Sequence, residues 1–307
     1  EDGLVNLVYE IPHMLQWGTP IDVSEYMQWS NYNRQIIKGQ KKVDIPNCVT
    51  VMPMAGQGSR FSKEGYEVPK PCIPVNGSLM FLQALKCLPN TSDLFFASLT
   101  SRKDLLDLEK YGKVVWLDDV LEGQACTTER IVNHISDPNM SFLVSACDNG
   151  ILYDSDKFLN LVNNFDNDII VWSYRNNFTS YRNPNAYSWL DVDDENIIRK
   201  VNVKDYKGVN PLDEFAVVGT MFFRNKEIYN NSLKKLYEKN IRTNGEFYID
   251  NLLNEAIELG YIVRNFEVDE YICWGTPNDL KTYEYWQTFF NKVNWHPYEY
   301  EKDYLTN

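Results

Sequence analysis

From Cys48 the chain reads CVTVMPMAG, an unbroken apolar run ending in glycine, the pattern of a strand buried on both faces. LMFLQALKCLP follows with apolar residues at helical spacing. DLFFASLTS (strand), RKDLLDLEKYG (helix), KVVWLDD (strand), GQACTTERIVNHI (helix) and SFLVSACDNG (strand) then alternate over short connections. Strands and helices taking turns in this way predict βαβ units and a parallel sheet. After DKFLNLVNNF (helix) and DIIVWSYR (strand), the pattern breaks into the shorter strands YSWLDVD, IIRKVNV and AVVGTMFF, with helices expected over roughly 226–239 and 246–259. The second half therefore reads as an insertion built on the same sheet. A ligand is expected at the carboxyl ends of the parallel strands, where Gly56 and Asp148 both fall.

The same pattern contains a repeat. YEIPHMLQWGTPIDVSEYMQW near the start aligns without a gap on FEVDEYICWGTPNDLKTYEYW near the end, an offset of 257 residues from Trp17 to Trp274. Glu10 falls on Glu267, the WGTP tetrads coincide, and Asp22, Tyr26 and Trp29 fall on Asp279, Tyr283 and Trp286. Two strand-turn-helix units that converged on one turn chemistry are the other reading. A genuine repeat makes residues 1–45 the tail of a preceding domain of the same type plus a linker, NRQIIKGQKKVDIPN, and 46–307 the complete copy. The chain opens on Glu1 rather than Met, so its natural start is expected upstream.

At 307 residues with 44% hydrophobic side chains, the chain suits one large α/β domain with an appendage. Its net charge of −13 argues against nucleic acid or an anionic membrane as partner, since both are held by basic patches. A small-molecule ligand is expected instead. The six cysteines are scattered without a C-x-x-C pair, as free thiols in a reducing cytoplasm would be. The three histidines lack zinc-ligand spacing, no stretch approaches the ~20 apolar residues of a membrane span, and no signal peptide is expected.

Chemistry concentrates in MPMAGQGSRFSKEGYEVPKP, residues 52–71. Gly56 and Gly58 let the backbone approach a ligand, and successive N–H groups over Ala55, Gly56, Gln57, Gly58 and Ser59 suit phosphate oxygens. The third glycine of a dinucleotide fingerprint is missing, and so is the Gly-Lys-Ser/Thr of a P-loop. Arg60 offers a planar donor fork to phosphate, and Lys70 a point charge on a backbone fixed by Pro69 and Pro71. G-x-G-x-R followed by P-K-P resembles the nucleotidyltransferases that join a nucleoside triphosphate to a sugar 1-phosphate or to phosphocholine. The resemblance implies an α/β, Rossmann-like, three-layer fold of the GT-A type with a mixed, mostly parallel central sheet.

It also implies roles elsewhere. In EGQACTTERI, Gly123 and Gln124 would read the edge of the nucleobase, although a glycine before a polar residue and an apolar run is also a plain helix start. In SFLVSACDNG, Asp148 would hold Mg2+, and Asp-Asn-Gly is equally a turn former. Lys204 and Glu246 would contact the acceptor, Glu246 being also an ordinary acid for a helix's first turn. Relatives carry a second metal-binding aspartate where ICWGTP has Cys273; the upstream copy has Gln16 there, and Asp269, Glu270 and Asp250 are the substitutes within reach. A thiol is a poor Mg2+ ligand. Tyr181, Tyr187 and Trp189 would stack on a sugar, cage a choline ammonium, or simply pack.

The reaction so implied is transfer of a nucleotidyl group, with CTP favoured by the form MAGQGSRF, to a phosphorylated small acceptor for surface-polysaccharide precursors. A GT-A glycosyltransferase is one competitor, although CDNG offers one carboxylate where an Asp-x-Asp is normal. A silent nucleotide-binding copy in a tandem protein is the other.

Overall fold

The computed structural model describes residues 7–11 and 13–306; residues 1–6 of the expected preceding tail lie outside them. In chain order these form α1 (Pro20–Ile36), β1 (Asp44–Pro53), α2 (Ser59–Lys63), the short pair β2 (Pro74–Val75) and β3 (Ser78–Leu79), and α3 (Met80–Lys86). Next come β4 (Asn90–Leu99), β5 (Lys113–Leu117), α4 (Gln124–Val132), β6 (Ser141–Val144), β7 (Asn149–Leu152), α5 (Ser155–Asn163), β8 (Ile169–Tyr174) and α6 (Phe178–Arg182). The second half adds β9 (Trp189–Val192), β10 (Ile198–Asn202), β11 (Phe215–Phe223), α7 (Lys226–Lys239), α8 (Ile249–Glu258), β12 (Val263–Glu267), β13 (Glu270–Cys273) and α9 (Pro277–Lys292).

Nine strands make one sheet in the order β10-β9-β11-β6-β1-β4-β5, with β8 on β11 and β12 on β8. β1, β4, β5 and β6 are parallel, β11 runs against β6, β8 and β9, and β12 is parallel to β8. Only β10 and β11 therefore oppose the common direction. The mixed, mostly parallel sheet is as expected. Its strands alternate between two cores: Met52, Phe96, Leu143 and Ile170 face one side with α1, α3, α5 and α9. Val51, Phe95, Phe142 and Val171 face the other with α4, α7 and α8. Helices on both faces are why these strands read as continuous apolar runs.

Three local expectations differ from what forms. RKDLLDLEKYG is not an α-helix but two 3-10 turns, Thr100–Arg102 and Leu108–Lys110. Arg102, Leu106 and Leu108 are the buried residues while Leu105 is exposed, so burial does not follow a helical stripe. SFLVSACDNG is two strands: β6 stops at Val144, and Asp148 lies in the connection just before β7, which pairs antiparallel with β13. Glu246 precedes α8 rather than opening it. Thr243 and Glu246 bridge a tight turn in which Asn244 and Gly245 take positive φ, as Asn-Gly turns do. The segment read as a linker also packs: it holds the end of α1 and the start of β1, and its Ile36 and Ile45 are part of the α9-side core.

Candidate active site

The turn after β1 is held from behind. Met54 N–H donates to Ala97 O at 2.7 Å, extending the β1–β4 pairing beyond Pro53. Arg102, 8% exposed, donates to Met54 O and to Gly56 O, each at 2.8 Å. Burial pulls the Arg102 guanidinium somewhat below its ordinary range, with Cys72 and Cys147 opposing. One planar fork gripping two carbonyls fixes the turn as a lysine could not. Sequence reasoning missed this residue, whose only sign is an arginine shortly after an apolar strand.

Gly58 sits at φ 65°, and a Cβ there would lie 3.0 Å from the Lys70 Cβ. Its role is thus both left-handed backbone and room for Lys70. At Gly56 a Cβ would meet nothing within 4 Å, so that position is open to the cleft. Pro69 and Pro71 flank Lys70 in a 3-10 turn that turns its ammonium onto the Asp148 carboxylate as an ion pair. Their side chains are 20% and 25% exposed, which leaves both reachable by a ligand. Burial lowers the Lys70 pKa, but the Asp148 carboxylate paired with it outweighs burial, so the net direction is upward and the ammonium stays charged.

Gly123 takes φ 137°, and a Cβ there would stand 2.5 Å from Phe247 O. Phe247 N–H donates to Glu122 O at 2.8 Å and Ala125 N–H to Phe247 O at 3.0 Å. Gly123 is therefore required by this backbone contact, which also brings Glu246 beside Gly123 and Gln124. One cavity of about 490 Å³ is lined by Ala55, Gly56, Gln57, Gly58, Ser59, Arg60, Lys70, Gly123, Gln124, Asp148 and Glu246. A second of about 480 Å³ shares Arg60, Asp148 and Gly275 with it and adds Tyr187, Tyr271, Cys273 and Asp279.

Lys204 lines neither cavity; at φ 51° it carries its ammonium over the Tyr248 ring, 4.7 Å from the centroid. Trp189 is buried and Tyr187 lines the second cavity, whereas Tyr181 is outside it. The substitutes for a second carboxylate are elsewhere. Asp269 and Glu270 lie at the Leu152 end of the β7–β13 pair, away from Asp148, and Asp250 accepts from Ser188 at 2.6 Å. Cys273 itself is near Asp148, each coming within about 3.2 Å of the space a Gly275 Cβ would fill. Burial pushes its thiol up to about 12, so it is neutral and donates to Asp279 at 3.4 Å. Among the described residues no three His, Cys, Asp or Glu side chains form a metal cage.

No family model matches the sequence, and no curated protein matches it. Solved structures do match. The nucleoside-diphosphate-sugar pyrophosphorylase from Vibrio cholerae RC9 is 19% identical at a TM-score of 0.61, covering 76% of this chain and 98% of its own. The inositol-1-phosphate CTP transferase from T. maritima is also 19% identical, TM-score 0.60, over 80% of this chain and 97% of its own. HddC from Yersinia pseudotuberculosis, complexed with GMP-PN, is 16% identical at 0.54, over 78% of this chain and 99% of its own. The chain has the fold of these three proteins.

Proposed function

We propose that the chain is a Mg2+-dependent nucleotidyltransferase, moving a nucleotidyl group from a nucleoside triphosphate to a phosphorylated small acceptor. The observation that carries this reading is the convergence of the glycine turn, Arg60, Lys70 and Asp148 on one cavity beyond the ends of parallel β1 and β6. CTP is the favoured donor from the form of the glycine turn, and a CTP transferase among the structural neighbours is in keeping with it. The acceptor class is a sugar 1-phosphate or a phosphocholine-like compound, serving surface-polysaccharide precursors. Six free cysteines fit a reducing cytoplasm.

The chemistry is in-line attack. An acceptor phosphate oxygen bonds to the α-phosphorus as the bond to the bridging oxygen breaks, and pyrophosphate leaves with that electron pair. Two anions must be brought together, so the protein supplies alignment and positive charge rather than a base. Main-chain N–H groups from Ala55 to Ser59 cradle the triphosphate, Arg60 neutralises charge moving onto pyrophosphate, and Lys70 holds the α-phosphate. Gln124 and Gly123 read the base, Glu246 on the same cavity contacts the acceptor, and the second cavity, which shares Arg60 and Asp148, takes the rest of the acceptor. Asp148 already carries a cation in Lys70, and one carboxylate suffices for Mg2+ when phosphates complete its shell. When bound, the ion would supply further charge neutralisation at the phosphates.

The test is a panel of the common nucleoside triphosphates with Mg2+ against sugar 1-phosphates and phosphocholine, reading pyrophosphate. Pyrophosphate formed with CTP is the expected result. Release of a nucleoside diphosphate from a nucleotide sugar would make it a glycosyltransferase, and calorimetric binding without turnover a silent copy.

A further inference from the structure

The repeated segments WGTP-x-D fold alike. Thr19 and Thr276 cap α1 and α9 with φ, ψ of −133°, 157° and −132°, 158°. Each hydroxyl donates to the aspartate three residues on, Asp22 at 2.7 Å and Asp279 at 2.6 Å. Trp17 meets Tyr26 at 5.5 Å between ring centres, and the aligned Trp274 meets Tyr283 at 5.8 Å. Convergence on one turn chemistry accounts for the cap but not for the aromatic pair beyond it.

The two elements also meet each other symmetrically. Trp29 stacks on its own counterpart Trp286 at 6.3 Å and 16°. Tyr26 meets Trp286 at 6.1 Å, and reciprocally Trp29 meets Tyr283 at 6.4 Å. A residue touching its equivalent, flanked by exchanged contacts, is the mark of a local two-fold interface. What differs is the surroundings. Tyr9, Ile11, Met14, Trp17 and Val23 are 87, 53, 66, 58 and 43% exposed, whereas the aligned Phe266, Val268, Tyr271, Trp274 and Leu280 are all at 6% or less. In the second copy those residues belong to the core, Phe266 lies in β12 and β13 pairs with β7, whereas residues 9–11 and 13–16 form no strand here.

We infer that the first element is the terminal strand and helix of a second domain of this fold, which it completes, and that α1 and α9 are the two-fold joint between the domains. The occupant of the exposed face is that domain's sheet, its counterpart of β7 pairing along His13–Gln16 as β7 pairs along Glu270–Cys273. The joint requires no catalysis in either domain.

Hydroxyl-radical footprinting read by mass spectrometry tests it, on the 307-residue chain and on the complete natural polypeptide. In the natural polypeptide, modification of Met14 and Trp17 is expected to fall severalfold, to the level of Trp274. Trp17→Ser should leave the melting temperature of the 307-residue chain unchanged and lower that of the longer one by several degrees. Unchanged modification, or a natural polypeptide without a second such domain, overturns the inference. So does concentration-dependent protection in the 307-residue chain alone, which would assign the face to another copy of this chain.

Discussion

Lys70 is a charged group whose position is fixed by prolines and whose partner is on another strand connection, so its substitution separates chemistry from stability. Lys70→Ala is expected to lower turnover by roughly 10²- to 10⁴-fold. Lys70 and Asp148 are mostly buried, but Asp148 keeps about a quarter of its side chain exposed and opens on the cleft, so water can solvate the carboxylate left behind and the melting temperature should fall by no more than a few degrees. Near wild-type turnover would remove Lys70 from the reaction. Arg102 acts through the glycine turn rather than on a ligand. Arg102→Lys keeps the charge and loses the fork, so steady-state kinetics should show a higher KM for the triphosphate and a kcat down by up to about 10²-fold. Unaltered constants would mean the turn holds its shape unaided.

At the scale of elements, the join between α4 and the Asn244–Gly245 turn closes the end of the cleft proposed to take the nucleotide. Gly123→Ala places a Cβ against Phe247 backbone at a φ that L-residues rarely adopt, and denaturant titration should register a loss of about 1–3 kcal/mol. Gln124→Ala, in the adjacent position, should leave that titration unchanged and raise the KM for the triphosphate. If both variants change stability alike, Gln124 is a structural residue of the α4 start and not a base contact.

Across the whole molecule, α1 is bound into the same core as α9. Trp29, 4% exposed, packs on Trp286 and Tyr283, so Trp29→Ala should cost about 3–5 kcal/mol in urea unfolding although it is remote from the cleft. His296 is buried in the same contact, near Ser30 and 4.2 Å from the Phe290 ring. Burial, with Arg34 adding, depresses its pKa from 6.5 to about 4 against a hydrogen bond that His296 Nε2 donates to the Ser30 carbonyl. Between those values the unfolded chain binds the extra proton, so this group makes stability fall as pH drops from about 6.5 to about 4. The fall should be shallower in His296→Phe; equal slopes for both proteins would show that His296 titrates normally in the fold.

The sequence by itself determined the alternating strands and helices, the glycine turn, Lys70 between its prolines and Asp148 near the end of a buried strand. Each is written in local terms, as apolar period, backbone freedom or fixed φ, and so can be read without knowing what lies opposite. Only the tertiary structure decided that Arg102 grips the turn, that Glu246 stands beside Gly123 while Lys204 lies apart, and that RKDLLDLEKYG turns inward instead of forming a helix. Those outcomes depend on contacts between residues distant in the chain, Arg102 with Met54 and Gly123 with Phe247 among them. The repeat belongs to both: its letters are in the sequence, but that Trp29 meets Trp286 is a fact of packing, because symmetry exists only once two surfaces touch.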